Sequence, residues 1–114
     1  EELASWVEDK NYLLRHAATE ALLGYVQSQA EIISRTLRLL DPLLNDSAEY
    51  VRRGHVLALR TMGRKHPQAV FDYVEKHLSS ISERARESFL SVLSDPFAGK
   101  DPKQKGELLA RLQA

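Results

Sequence analysis

Apolar residues along the chain recur at intervals of three and four, and alternation of strand type is absent. Ile32, Ile33, Thr36, Leu37, Leu40, Leu43 and Leu44 form one stripe, and Val51, His55, Ala58, Leu59 and Met62 form another. Such spacing returns to the same side of an α-helix, so each stripe predicts an amphipathic helix with one buried face. The pattern predicts helices near 1–8, 11–25, 29–44, 47–65, 67–78, 82–94 and 102–113. Asp46 with Glu49, and Ser80 with Glu83, have capping-box spacing; Asp101 precedes Pro102 and stands three before Gln104. Pro42 predicts a kink near the end of the third helix, because an interior proline removes a backbone bond and clashes with the preceding turn. Pro67 reads as the first residue of a new helix, and the stretch 94–100, SDPFAGK, as the clearest loop.

The pattern repeats. A shift of 37 carries Leu3, Trp6, Val7, Asp9, Leu14, Arg15 and Leu22 onto Leu40, Leu43, Leu44, Asp46, Val51, Arg52 and Leu59. A further shift of 34 carries Leu40, Leu44, Val51, Arg52 and Leu59 onto Val74, Leu78, Ala85, Arg86 and Leu93. Each unit is a pair of helices, and no single pair can bury its apolar face alone. The expected fold is all-α: a right-handed alpha-alpha superhelix of about three helix pairs plus a terminal helix. Its units lie near 1–27, 28–65 and 66–94, with the terminal helix over 101–114. The chain opens inside an amphipathic pattern and without Met, which suggests a part of a longer protein.

Composition narrows the partners. Sixteen basic and sixteen acidic residues cancel, so nucleic-acid or membrane binding would need a local patch rather than a bulk field. Without cysteine there is neither a disulfide nor a thiolate metal site, which fits a reducing, cytoplasmic or otherwise intracellular setting. No run is long and apolar enough to predict a membrane span or a signal peptide. His16, His55, His66 and His77 lack the short spacing of a metal pair, and His55 on its apolar stripe reads as a hydrogen-bonded core residue. No glycine-rich phosphate loop occurs, and no serine has a nearby His and Asp arranged to activate it. No cofactor, metal or catalytic residue is therefore expected.

Arg52 and Arg53 stand where a helix should begin, the end at which the helix dipole repels cations. Paired helices at this period, with Trp6-Val7-Glu8-Asp9 followed by Leu14-Arg15 and Asp41-Pro42-Leu43-Leu44-Asn45-Asp46 followed by Val51-Arg52, resemble the HEAT-repeat family over nearly the whole chain. The resemblance implies a structural ladder in which a turn aspartate and the arginine six residues later reach backbone or charge in the same or neighbouring turn. Asp9, Arg15, Asp46, Arg52 and Arg86 would form it, the third unit lacking the aspartate.

Arg53 lies outside that column. With Leu57, Arg60 and Arg64 it recurs at helical spacing, making a basic ridge opposite much of the core stripe. The repeat offset sets His16 and Glu20 on one flank and Glu87, Ser91 and Ser94 on the other. One reading pairs Arg53 with Glu87 and leaves the remaining charges solvated; the other makes the ridge a binding face. A narrower resemblance joins Glu49 to Val74, together with Trp6 to Leu22, to the HEAT-like DNA alkylation-repair glycosylases. It implies a concave basic surface for damaged DNA, a catalytic aspartate in a unit before Glu1, and a lesion-contacting aromatic at the position of Leu57. Arg15, His16 and Arg53 carry over as basic DNA-contacting positions. Neutral charge and the missing chemistry lead to the expectation of a non-enzymatic scaffold that binds a protein or peptide through His16, Arg53, Leu57, Arg60 and Arg64. A DNA-binding repair fragment is the alternative, with weak nucleic-acid binding, and a spacer without a site is the third reading.

Overall fold

A computed structural model describes residues 2–25, 27 and 29–114. Seven α-helices run through them: α1 (Glu2–Val7), α2 (Tyr12–Leu22), α3 (Ala30–Leu39), α4 (Glu49–Lys65), α5 (Pro67–His77), α6 (Glu83–Leu93) and α7 (Pro102–Gln113). Among the described residues there is no strand, and the chain is all-α as its periodicity requires. Short 3₁₀ turns, Leu23–Tyr25, Asp41–Asn45, Leu78–Ser80 and Pro96–Lys100, tighten four of the connections.

The helices lie in two rows. In one row α2 packs on α4 and α4 on α6; in the other α1, α3, α5 and α7 pack in sequence. Apolar stripes from both rows meet between them, with Leu22, Ile33, Leu37, Leu59, Met62, Phe71, Phe89 and Leu112 fully buried. Each such side chain contributes about 1.5–3 kcal/mol by leaving water. Trp6 is partly buried against this core. Ile32, counted in the third helix's stripe, is instead at its exposed edge.

Several terminations differ from expectation for local reasons. Pro42 does not kink α3; the α-helix ends at Leu39 and a 3₁₀ turn takes over, with the Leu43 N–H donating to Leu40 O three residues back. That spacing accommodates a residue that has no N–H to give. Asp46 is not the N-cap of α4: Ala48 holds that position, and the Asp46 carboxylate accepts its N–H at 2.9 Å. Ser82, not Ser80, caps α6 by accepting the Ala85 N–H, whereas Asp101 caps α7 by accepting the Gln104 N–H. The stretch 94–100 is an ordered turn with Phe97 and Ala98 buried.

Two glycines permit close approach rather than unusual backbone angles. A Cβ on Gly54 would lie 2.6 Å from Thr19 Oγ1 and 2.7 Å from His16 Cδ2, which brings α2 and α4 together. A Cβ on Gly63 would lie 2.6 Å from the Phe97 ring. His55 is buried beneath α4 with Nε2 at 3.3 Å from Tyr73 Oη, and burial, with the nearby His77 charge, pushes its pKa down to about 3. A neutral imidazole is the form that such a site stabilises.

Candidate nucleic-acid interface

The turns that launch α2 and α4 account for the cations at their N-termini. Arg15 reaches back to accepting carbonyls of Asp9 and Lys10, both at 3.0 Å, and forks across to Asp46 with Nε–Oδ2 2.6 Å and Nη2–Oδ1 3.1 Å. Arg52 donates to the carbonyl of Asp46 in its own turn. Burial alone would raise the Asp46 carboxyl, but the Arg15 hydrogen bonds, the Ala48 N–H and the charges of Arg15 and Arg52 outweigh it and hold the pKa below the ordinary value. The same hydrogen bonds raise Arg15. Asp9 accepts the Asn11 N–H, and Asn11 caps α2 through the Leu13 N–H. The third turn is joined differently: Ser82 donates to Asn45 Oδ1 and Arg84 to Asn45 O, while Arg86 meets Glu83 at 3.6 Å and its buried Nε has no hydrogen-bond partner among the described residues. Thus one carboxylate–guanidinium rung, Arg15 to Asp46, ties the first pair to the second.

Between α4 and α6 lies a groove of about 340 Å³. Arg53, Leu57 and Arg60 line its α4 wall, with Arg84, Glu87 and Ser91 opposite. Four arginines, counting Arg52, stand against two glutamates, Glu49 and Glu87, so this groove is positive within a neutral chain. Leu57 is 56% exposed. Arg53 is exposed and, among the described residues, has neither a hydrogen-bond nor an ion-pair partner; its suggested pairing with Glu87 is not formed.

The other two arginines of the ridge are tethered. Arg60 Nε lies 3.1 Å from Asp95 Oδ1, and Arg64 forks onto the same carboxylate at 2.8 and 3.3 Å. Asp95 is fully buried and also accepts the Phe97 N–H. The Arg64 hydrogen bond, helped against burial by the Phe97 N–H and by Arg60, lowers its pKa to about 2. Arg64 is raised for the same reason and lies outside the groove lining. His16 also lies off the groove, stacked on Tyr50 between α2 and α4 with centroids 3.9 Å apart. The ridge arginines therefore divide into an Arg53 without a partner among the described residues and a tethered Arg60 and Arg64, while His16 on the flank is committed to a ring stack.

Sequence reading missed Asp95 because it sits in a stretch rich in turn residues. The available signal was its place just before Pro96, where an aspartate accepts a backbone N–H two residues on. Tyr12 and Tyr50 were also missed; each stands in the first turn of the second helix of its unit, but the repeat shift of 37 misses their match by one residue.

Among the described residues no cluster of three or more His, Cys, Asp or Glu could hold a metal ion, and no helix is long and apolar enough to cross a membrane. Residues 1–88 match the family model for DNA alkylation repair enzymes. No curated protein and no solved structure matches the chain. The family match overturns the expectation of a non-enzymatic scaffold for a protein or peptide, which had weighed neutral net charge above the local arrangement of arginines.

Proposed function

Because the chain belongs to the DNA alkylation repair enzyme family, we propose that it holds duplex DNA along the face of α2, α4 and α6. In this reading the helix pairs stack in HEAT-like fashion and their second helices line one shared surface. Arg53 engages a phosphate directly, Arg60 offers the N–H groups that Asp95 leaves free, and Leu57 packs between them against the sugar edge. The observation that carries the proposal is the unpaired, exposed guanidinium of Arg53 on the wall of a groove lined by four arginines and two glutamates. An unpaired cation loses no internal partner when it binds phosphate, and each phosphate contact releases counterions from the duplex. Contacts of this kind position DNA without reading its sequence. No residue of the groove is assigned a bond-breaking role.

The test is fluorescence anisotropy with a short duplex over a salt series. Sequence-independent binding with Kd in the range of about 1–100 μM near physiological salt is expected. Arg53→Ala should weaken every duplex about equally and reduce the salt slope by about one. Absence of binding at low salt, or affinity unchanged when Arg53→Ala and Arg60→Ala are combined, would overturn the proposal.

A further inference from the structure

We propose that Tyr12, His16 and Tyr50 form a stacking platform for an unpaired nucleobase, with Arg53 receiving the phosphate of the same nucleotide. The inference rests on the DNA-holding reading above and adds to it a ring cluster beside the α4–α6 groove, joined to that groove through Arg53.

Tyr12 opens α2 and Tyr50 is the second residue of α4, and both are large rings left about half exposed, at 48% and 45%. His16, one turn after Tyr12, lies nearly parallel to Tyr50, 3.9 Å between centroids and 11° between planes. Tyr12 meets Tyr50 edge-on at 6.1 Å and 83°. Among the described residues neither tyrosine hydroxyl has a hydrogen-bond partner, in contrast to the buried Tyr73, which is held by His55. A stack of two rings with half of one still in water is extended by a third flat ring. Gly54 makes this possible, since any side chain there would push His16 out from between the helices.

The neighbouring charge selects the occupant. Arg53 follows Tyr50 by three residues and so projects on the same side of α4, its guanidinium without a partner among the described residues. A half-exposed tyrosine ring one helical turn from an arginine that has no partner among the described residues matches a nucleotide's base and phosphate, and base stacking tolerates any sequence because every base has a π-face. Bases inside a duplex have both faces occupied, so the ligand is a base that has left its stack, as at a bulge. Glu20, 3.9 Å from His16, and Glu49, in the adjoining groove, repel phosphate and confine it to the Arg53 side.

The experiment compares two hairpin duplexes of equal length carrying 2-aminopurine, one paired with thymine and one in a single-nucleotide bulge. The bulged probe should bind at least about fivefold tighter, the lower end of what one stacked base contributes, and its emission should be quenched on binding. Tyr50→Leu, which keeps an apolar contact for His16, should remove both the preference and the quenching, while Tyr50→Phe should retain both. Equal affinity for the two probes, or a preference that survives Tyr50→Leu, would overturn the platform and leave the duplex-holding reading standing. Failure to bind either probe would overturn both. A proline-rich peptide titrated in parallel that perturbs tyrosine emission when the bulged probe does not would also overturn it.

Discussion

Replacing Asp95 with Asn should destabilise the protein by about 2 kcal/mol, although the residue lies in a turn. The side chain is fully buried, and its carboxylate accepts hydrogen bonds from Arg60, Arg64 and the Phe97 N–H. Its pKa is lowered from 3.8 to about 2, a difference of about 1.8. At about 1.36 kcal/mol per unit this corresponds to about 2 kcal/mol favouring the folded, ionised form. Asparagine retains an acceptor for Phe97 but loses the charge. Arg60 and Arg64 have side-chain exposures of 34% and 56%, so their released guanidiniums regain water and add little further cost. The net loss therefore stays near 2 kcal/mol, equivalent to roughly 8 °C in melting temperature for a domain of this size. Urea unfolding should show a lower midpoint at unchanged m-value, and a double-mutant cycle with Arg64→Ala should recover at least about 1 kcal/mol of coupling. The pH dependence fixes the sign. Because the folded pKa is depressed, this stability is present above pH 3.8 and is lost as pH falls through about 2. A midpoint for Asp95→Asn within about 0.5 kcal/mol of wild type, a typical surface-substitution effect, would show that the clamp contributes nothing and refute the reasoning.

Asp46→Ala should cost about 2 kcal/mol, because it removes the Ala48 N–H acceptor and leaves Arg15 without its carboxylate; an unchanged melting midpoint would contradict this. Burial of neutral His55 should make stability fall as pH drops below 6.5, by about 2 kcal/mol between pH 6.5 and about 5. Denaturation midpoints that agree at the two pH values would contradict it, and this window lies above that of Asp95. Gly54→Ala should lose about 1 kcal/mol net, since overpacking against Thr19 and His16 exceeds the gain in helix propensity. Gly106→Ala, where a Cβ meets nothing within 4 Å, should gain about 0.5–1 kcal/mol, and both are read by thermal melts.

The helices were legible because each exposes one face and buries another. Leu37, Leu40, Leu59 and Met62 occupy the core that their spacing marked, and α5 and α7 begin at Pro67 and Pro102. Less was legible where a single side chain makes a tertiary contact. Arg53, Arg60 and Arg64 share a helical face in the sequence, yet among the described residues only Arg53 of the three lacks a partner, because Asp95 arrives from a turn more than 30 residues away. Periodicity carries no information about such a contact. Asp46 shows the same limit: its spacing to Glu49 suggested a cap, whereas its carboxylate bridges to Arg15 of the preceding pair. Function was misjudged for a related reason. Net charge sums over the whole chain, whereas in the proposed reading a duplex meets only the groove where arginines outnumber glutamates.

Amide chemical-shift mapping during titration with a short duplex tests most directly where DNA lies. Salt-sensitive shifts should centre on Arg53, Leu57 and Arg60 and extend to Tyr50 and Ser91, with the opposite row left unchanged. Shifts centred instead on Ile32, Arg35 and Arg38 of α3, with those of α4 unmoved, would contradict this placement.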